Sequence, residues 1–145
     1  MAGQQGKLRV LTLNCWGLLG VSRHRAHRMQ ALANYLSSPA AASLEIVCLQ
    51  EVWVGSDAEL LMAAAKAAGL AHGVHFQSGT FGAGLVTISR FPILHASFEQ
   101  YAAAGDPLAL TCGDYLAAKG VGWVQLETPA GPVDVFNTHL HANYR

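Results

Sequence analysis

Leu44-Glu45-Ile46-Val47-Cys48-Leu49-Gln50-Glu51-Val52-Trp53 is the stretch on which the reading of the chain turns. Leu44 to Leu49 is apolar apart from Glu45, and it lies between a loop of small residues and Gly55-Ser56. That is the pattern of a short strand buried in a sheet. The strand delivers a glutamate at its end, followed at once by Val52 and Trp53. In open α/β sheets ligands bind beyond strand ends. A carboxylate placed there is badly solvated unless it faces a cleft or a cation. Spacing alone leaves two readings of Glu51 open: a ligand-facing carboxylate, or an ordinary one in the loop past the strand.

Working outward, Lys7 to Leu13 reads as a first strand, broken by Asn14-Cys15-Trp16-Gly17. A helix is expected from about Arg23 to Leu36, with Met29, Leu32, Ala33 and Leu36 on one face and Ser22 as its N-cap. Its first turn would then carry Arg23, His24 and Arg25, the wrong sign for the positive end of a helix dipole. A local rule broken in this way points to a functional site, although side chains splaying into water explain it as simply. Ser56-Asp57-Ala58-Glu59 has the form of a capping box opening a second helix, and Gly69 is placed to stop it. Strands follow near Gly73–Gln77 and Gly84–Ser89, then from Ile93 to about Tyr101. After a long loop from Ala102 to Leu116, Gly120–Thr128 and Val133–Leu140 form a hairpin around Pro129-Ala130-Gly131-Pro132. The order β-α-β-α followed by antiparallel strands predicts a mixed sheet with helices on one face. The strand-rich tail implies a second sheet to pack against the other face.

The 145 residues fit one domain. A hydrophobic content of 52% excludes disorder. Nine basic residues balance nine acidic ones, which argues against a nucleic-acid partner, since such proteins carry a basic excess. Cys15, Cys48 and Cys112 are odd in number and widely spaced, so reduced thiols in a reducing compartment are expected rather than a disulfide scaffold. Lys7 and Arg9 interrupt the first apolar run, which removes a signal-peptide reading, and no uncharged apolar stretch is long enough to span a membrane. The glycines around residues 79–84 do not fit a dinucleotide fingerprint.

The remaining polar residues sort into clusters. Asn14 and Glu51 follow strands expected to lie side by side, so they can converge at one sheet end. A carboxylate and an amide oxygen are hard donors, suited to a magnesium ion that keeps several waters. Asp114 and Lys119 do not make a Walker A loop, and taken alone a turn ion pair is the better reading. Asn137, His139 and His141 alternate along the last strand and share one side. Zinc ligation and half-buried structural histidines both stay open for that pair.

Leu13-Asn14-Cys15-Trp16-Gly17-Leu18, His24-Arg25-Ala26 with Arg28-Met29, and Leu49-Gln50-Glu51-Val52-Trp53 together resemble neutral sphingomyelinases. So do Ser78-Gly79 with Gly82-x-Gly84-Leu85, Ser89-Arg90-Phe91-Pro92-Ile93, Gly113-Asp114, Lys119-Gly120-Val121-Gly122 and Thr138-His139-Leu140-His141-Ala142. These enzymes belong to the deoxyribonuclease-like endonuclease/exonuclease/phosphatase superfamily, and the resemblance runs from about Leu8 to Tyr144. It implies a four-layered α/β sandwich that hydrolyses phosphodiesters with Mg2+. By the same resemblance Glu51 ligates the metal, Asn14 lies beside the metal or the scissile phosphate, and His139 binds phosphate and stabilises developing charge. Arg25, Asp114, Lys119 and His141 fall to substrate or phosphate binding. The implied partner is sphingomyelin at a membrane surface, with an anionic lipid as a second one. The implied location is the cytoplasm or the cytoplasmic face of a membrane, with a membrane anchor in longer relatives.

The later motifs of that superfamily, an Asp-x-Asn after a buried strand and a terminal Asp-His pair, are absent from these 145 residues. The chain therefore reads as the amino-terminal half of such a domain, with a core from about 7 to 144. Three expectations follow for function: a sphingomyelinase-type phosphodiesterase inactive without its other half, a nuclease or phosphoinositide phosphatase of the same superfamily, or a non-enzymatic product. Half of a two-sheet core is also expected to be poorly stable, because the inner face of its sheet would meet water.

Overall fold

The computed structural model describes residues 7–77, 82–101 and 119–140. In chain order the elements are β1 (Val10–Asn14), α1 (Arg25–Leu36), a 3-10 turn (Pro39–Ala41), β2 (Ile46–Gln50), α2 (Gly55–Ala67), β3 (His72–Phe76), β4 (Leu85–Ser89), β5 (Ile93–Gln100), β6 (Gly120–Thr128) and β7 (Gly131–Thr138). Two sheets result. The first has the order β1-β2-β4-β3 and the second β5-β6-β7. β1 runs parallel to β2, while β4 is antiparallel to both β2 and β3. The second sheet is antiparallel throughout. The expected mixed α/β architecture is the one observed.

β2 explains the layering, because successive side chains of a strand point to opposite faces. Val47 and Leu49 join Met29, Ala33 and Leu36 of α1 and Leu61 and Ala65 of α2 in one cluster. Ile46 and Cys48 enter a second cluster with Phe76, Leu85, Val124 and Leu126, between the two sheets. A strand buried on both faces reads as a continuous apolar run, which is how the sequence writes it. The inner face expected to meet water is thus covered, because β5, β6 and β7 are themselves the second sheet. The sheets approach closely: a Cβ on Gly122 would lie 2.5 Å from the Phe76 ring. No residue of either helix enters the second cluster, so among the described residues the helices cover one face only.

Element ends depart from the sequence reading in instructive ways. α1 begins at Arg25, not Arg23, because His24 takes a left-handed conformation with φ 53. Ser22 makes no cap; its hydroxyl donates to the Leu18 carbonyl at 2.8 Å. α2 begins at Gly55, ahead of the expected capping box, and Val54 precedes it with no side-chain cap. The end of α2 is as expected. Gly69, with φ 85, follows Ala68, and the Leu70 and Gly69 amides donate to the Ala65 and Lys66 carbonyls at 3.1 and 3.0 Å. That is a Schellman stop, completed by the buried side chain of Leu70. β1 and β2 start later than expected and run through Asn14 and Gln50. The residue before Ile46, Glu45, instead uses a carboxylate oxygen to accept from the Arg9 amide at 2.8 Å.

Candidate functional site

Asn14 pairs with Gln50 in the parallel register of β1 and β2, so the two strands end together and Glu51 emerges beside Asn14. Backbone bonds fasten this corner: the Cys15 amide donates to the Gln50 carbonyl and the Gly17 amide to the Glu51 carbonyl, both at 2.8 Å. A Cβ on Gly17 would lie 2.3 Å from that Glu51 oxygen, so only glycine permits the approach. Glu51 itself has φ 57, a left-handed conformation rare outside glycine. Strained residues of this kind cluster at functional sites.

The side chains complete the corner. Asn14 Nδ2 donates to Glu51 Oε1 at 2.7 Å, and Asn14 Oδ1 accepts from the Trp16 amide at 2.8 Å. The second contact is an Asx-type turn that fixes the amide's orientation. Across the inter-sheet gap, His139 lies just past β7 and brings Nε2 to 3.6 Å from Glu51 Oε1. Both side chains are partly open to solvent, at 24% for His139 and 18% for Glu51. Asn14, Glu51 and His139 therefore meet in one place, drawn from β1, β2 and β7 on two different sheets.

The other expected site residues have other surroundings. The Arg25 guanidinium forms an ion pair with the Asp57 carboxylate, so it ties α1 to α2 where the sequence reading gave it a headgroup. Lys119 is 4% exposed, and its Nζ donates to the Leu140 carbonyl at 3.0 Å, one residue past His139. Asp114, His141 and Cys112 lie outside the described residues. Arg28, which the sequence marks only as part of the resemblance, clamps the loop after β1, donating to the Cys15 and Trp16 carbonyls at 2.6 and 2.8 Å. Its guanidinium also lies 5.1 Å from the Trp16 ring centroid, within cation–π range.

The donor chemistry decides what the corner can hold. Burial pushes the Cys15 thiol up to about 12, against the lowering effect of Arg28 and with smaller raising effects of Glu51 and Asp57. Burial likewise pushes Cys48 to about 11, opposed by a hydrogen bond with Thr87. Both stay protonated near neutral pH and are poor metal ligands. Among the described residues no group of three or more His, Cys, Asp and Glu side chains could hold a metal. Glu51 is a hard carboxylate donor at the corner. That suits a largely hydrated Mg2+ held through one or two carboxylates and does not suit an all-protein cage.

A two-sheet α/β fold with this polar corner between the sheets places the chain by class. The chain belongs to the Endonuclease/Exonuclease/phosphatase family, which it matches over residues 11–144. Within that family it is 40% identical over 139 residues to the inositol phosphosphingolipids phospholipase C of Schizosaccharomyces pombe, covering 95% of this chain and 32% of that protein. It is 38% identical over 138 residues to a putative neutral sphingomyelinase of Drosophila melanogaster, covering 95% of this chain and 30% of that one. With Homo sapiens sphingomyelin phosphodiesterase 2 the identity is 35%, over 95% of this chain and 32% of the other. The chain thus spans about a third of the length of these relatives. Among solved structures, sphingomyelinase C from Streptomyces griseocarneus superposes with a TM-score of 0.73 at 22% identity, over 91% of this chain and 48% of that one. A Staphylococcus aureus beta toxin variant with bound magnesium ions superposes with a TM-score of 0.69 at 16% identity, over 92% and 49%. At those identities the structural likeness establishes the shared fold.

Proposed function

We propose that this chain carries the carboxylate half of a magnesium-assisted sphingolipid phosphodiesterase, which cleaves sphingomyelin to ceramide and phosphocholine. The observation that carries this reading is the meeting of Asn14, Glu51 and His139 at 2.7 and 3.6 Å across two sheets. Glu51 would hold the ion through its carboxylate, and a bound ion would supply Lewis-acid polarisation of the phosphoryl group. Asn14 donates to Oε1 and keeps that carboxylate turned toward the gap. His139 donates from Nε2 to a phosphoryl oxygen and offsets the negative charge that grows as a water oxygen bonds to phosphorus and the phosphorus–oxygen bond to the ceramide breaks, the departing oxygen taking up a proton from solvent.

The lipid substrate is supported by the loop that follows the site. Trp16, Leu19 and Val21 are exposed apolar side chains within a few residues of Asn14. Aromatic and aliphatic side chains with basic neighbours such as Arg23 suit a membrane interface. The relatives named for sphingolipid substrates agree with it.

The 145-residue chain by itself is proposed to be inactive. Glu51, 3.6 Å from His139 Nε2, is as metal ligand not free to orient that ring as a base. General-base help is worth ~10²–10⁴-fold. The test measures phosphocholine release from sphingomyelin vesicles with Mg2+. One sample is the 145-residue chain; the other is a chimera in which it replaces the matching third of human sphingomyelin phosphodiesterase 2. Release by the chimera, lost on chelation and in Glu51→Gln, is expected, with none from the chain alone. A Glu51→Gln chimera that keeps full activity, or a chain as fast as the chimera, would contradict the proposal.

A further inference from the structure

The site draws its two key side chains from two sheets, so something must fix the sheets' relative position at that end. Asn137 lies two residues before His139 and is 2% exposed. Its backbone belongs to β7, paired with Gly122, yet its side chain bonds to the other sheet. Nδ2 donates to the Leu49 carbonyl of β2 at 3.2 Å, to the Val86 carbonyl of β4 at 3.1 Å, and lies 3.4 Å from Thr87 Oγ1. Oδ1 accepts from Gln50 Nε2 at 2.8 Å. Gln50 in turn reaches Thr12 Oγ1 of β1 and the Cys48 carbonyl, both at 3.2 Å.

One buried amide therefore joins β7 to β2 and β4, and through Gln50 the link extends to β1. It does so beside the site, since Gln50 precedes Glu51 and Asn137 nearly adjoins His139. Apolar packing between sheets is non-directional and tolerates sliding. A satisfied buried amide has fixed donor and acceptor directions and tolerates little. A buried asparagine in an apolar gap would be unfavourable without such partners, and here both ends of the amide have them.

We infer that Asn137, with Gln50, is the positioning pair that holds His139 opposite Glu51. This rests on reading those two residues as the site, but its test needs no turnover. In the folded chain, the nuclear Overhauser contact between the His139 ring and the Glu51 side chain reports their approach directly. Asn137→Leu keeps the volume and removes the polar link. Its expected result is loss of the His139–Glu51 cross-peak, with contacts within each sheet, such as Val47 to Ile88, retained. Gln50→Met removes the link to Oδ1, together with the Thr12 and Cys48 contacts of Gln50, and leaves the Leu49 and Val86 contacts of Asn137. It is expected to weaken the same cross-peak with a smaller fall in Tm, so the inference stays testable if Asn137→Leu does not fold. Gln50→Glu keeps the shape and a hydrogen-bonding end but replaces the donor that Oδ1 requires; it should behave like Gln50→Met. An undiminished cross-peak in both Gln50 variants, whatever happens to Tm, would reduce the pair to ordinary core amides. A wild-type chain lacking the cross-peak would overturn the inference outright. Phosphodiesterase activity can be absent in every sample without affecting either outcome.

Discussion

Glu51 is where backbone conformation, hydrogen bonding and charge meet. Its left-handed φ of 57 costs on the order of 1–2 kcal/mol for a residue with a Cβ. The Gly17 amide and the Asn14 side chain hold it there. Glu51→Gln keeps the shape and an oxygen for Asn14 and removes the charge. Its unfolding free energy in denaturant titration should change by less than about 1 kcal/mol, the worth of one partly exposed hydrogen bond. The thiols give a second residue-scale prediction. With Cys15 raised to about 12 and Cys48 to about 11, little thiolate exists at pH 7–8, and the side chains are buried. In a Cys112→Ser background, a thiol reagent should label neither under native conditions and both after unfolding. Rapid native labelling of either would contradict the packing. Glu51 and Asn14 were legible because each follows an apolar strand. Asn137 was only half legible: alternation put it on the side of His139, but nothing in the sequence marks a buried amide that bonds to carbonyls 51 and 88 residues away. The ion pair of Arg25 was not legible, because its partner Asp57 lies in a different helix.

At the level of elements, the Arg25–Asp57 pair joins the first turns of α1 and α2, and Asp57 is buried. Removing one partner of a buried pair costs ~3–5 kcal/mol because the other charge is left stranded; with Arg25 partly exposed, Arg25→Ala belongs near the low end. Thermal unfolding of Arg25→Ala and of Arg25→Ala/Asp57→Ala measures this. The double variant should recover part of the loss, and no loss in the single variant would contradict the assignment. β3 carries a pH dependence. Burial lowers the pKa of His75 below its ordinary 6.5, more than the Val52 carbonyl contact raises it. The unfolded chain then binds more protons below pH 6.5, so stability falls as pH drops through that value toward the folded one. His75→Gln should flatten the acid side of the stability–pH curve, and an unchanged slope would show that other groups dominate it. Helix cores and the succession of elements along the chain were legible from periodicity; helix starts and the order of strands within each sheet were not. His24 turns left-handed and delays the start of α1 by two residues, Ser22 bonds back to the Leu18 carbonyl, and Ser56 lies inside α2.

On the scale of the whole molecule, the site exists only where two sheets face each other. Sheet one contributes Asn14 and Glu51 from β1 and β2, and sheet two contributes His139 after β7. The sequence announced this division through its switch from β-α-β-α order to antiparallel strands. It did not announce that the second sheet within these 145 residues would already cover the inner face, because Ile46, Cys48, Val124 and Leu126 lie far apart in the chain. β1 and β7 remain edges of their sheets, with Val10, Leu13 and Phe136 exposed along them. The proposed function requires Glu51 to anchor a divalent cation in this corner. Titration of Mg2+ into the folded chain by isothermal calorimetry, beside Glu51→Gln with matched circular dichroism, tests it most directly. A single weak site in the wild type, lost in Glu51→Gln, is the predicted result; equal heats of binding in the two proteins would contradict it.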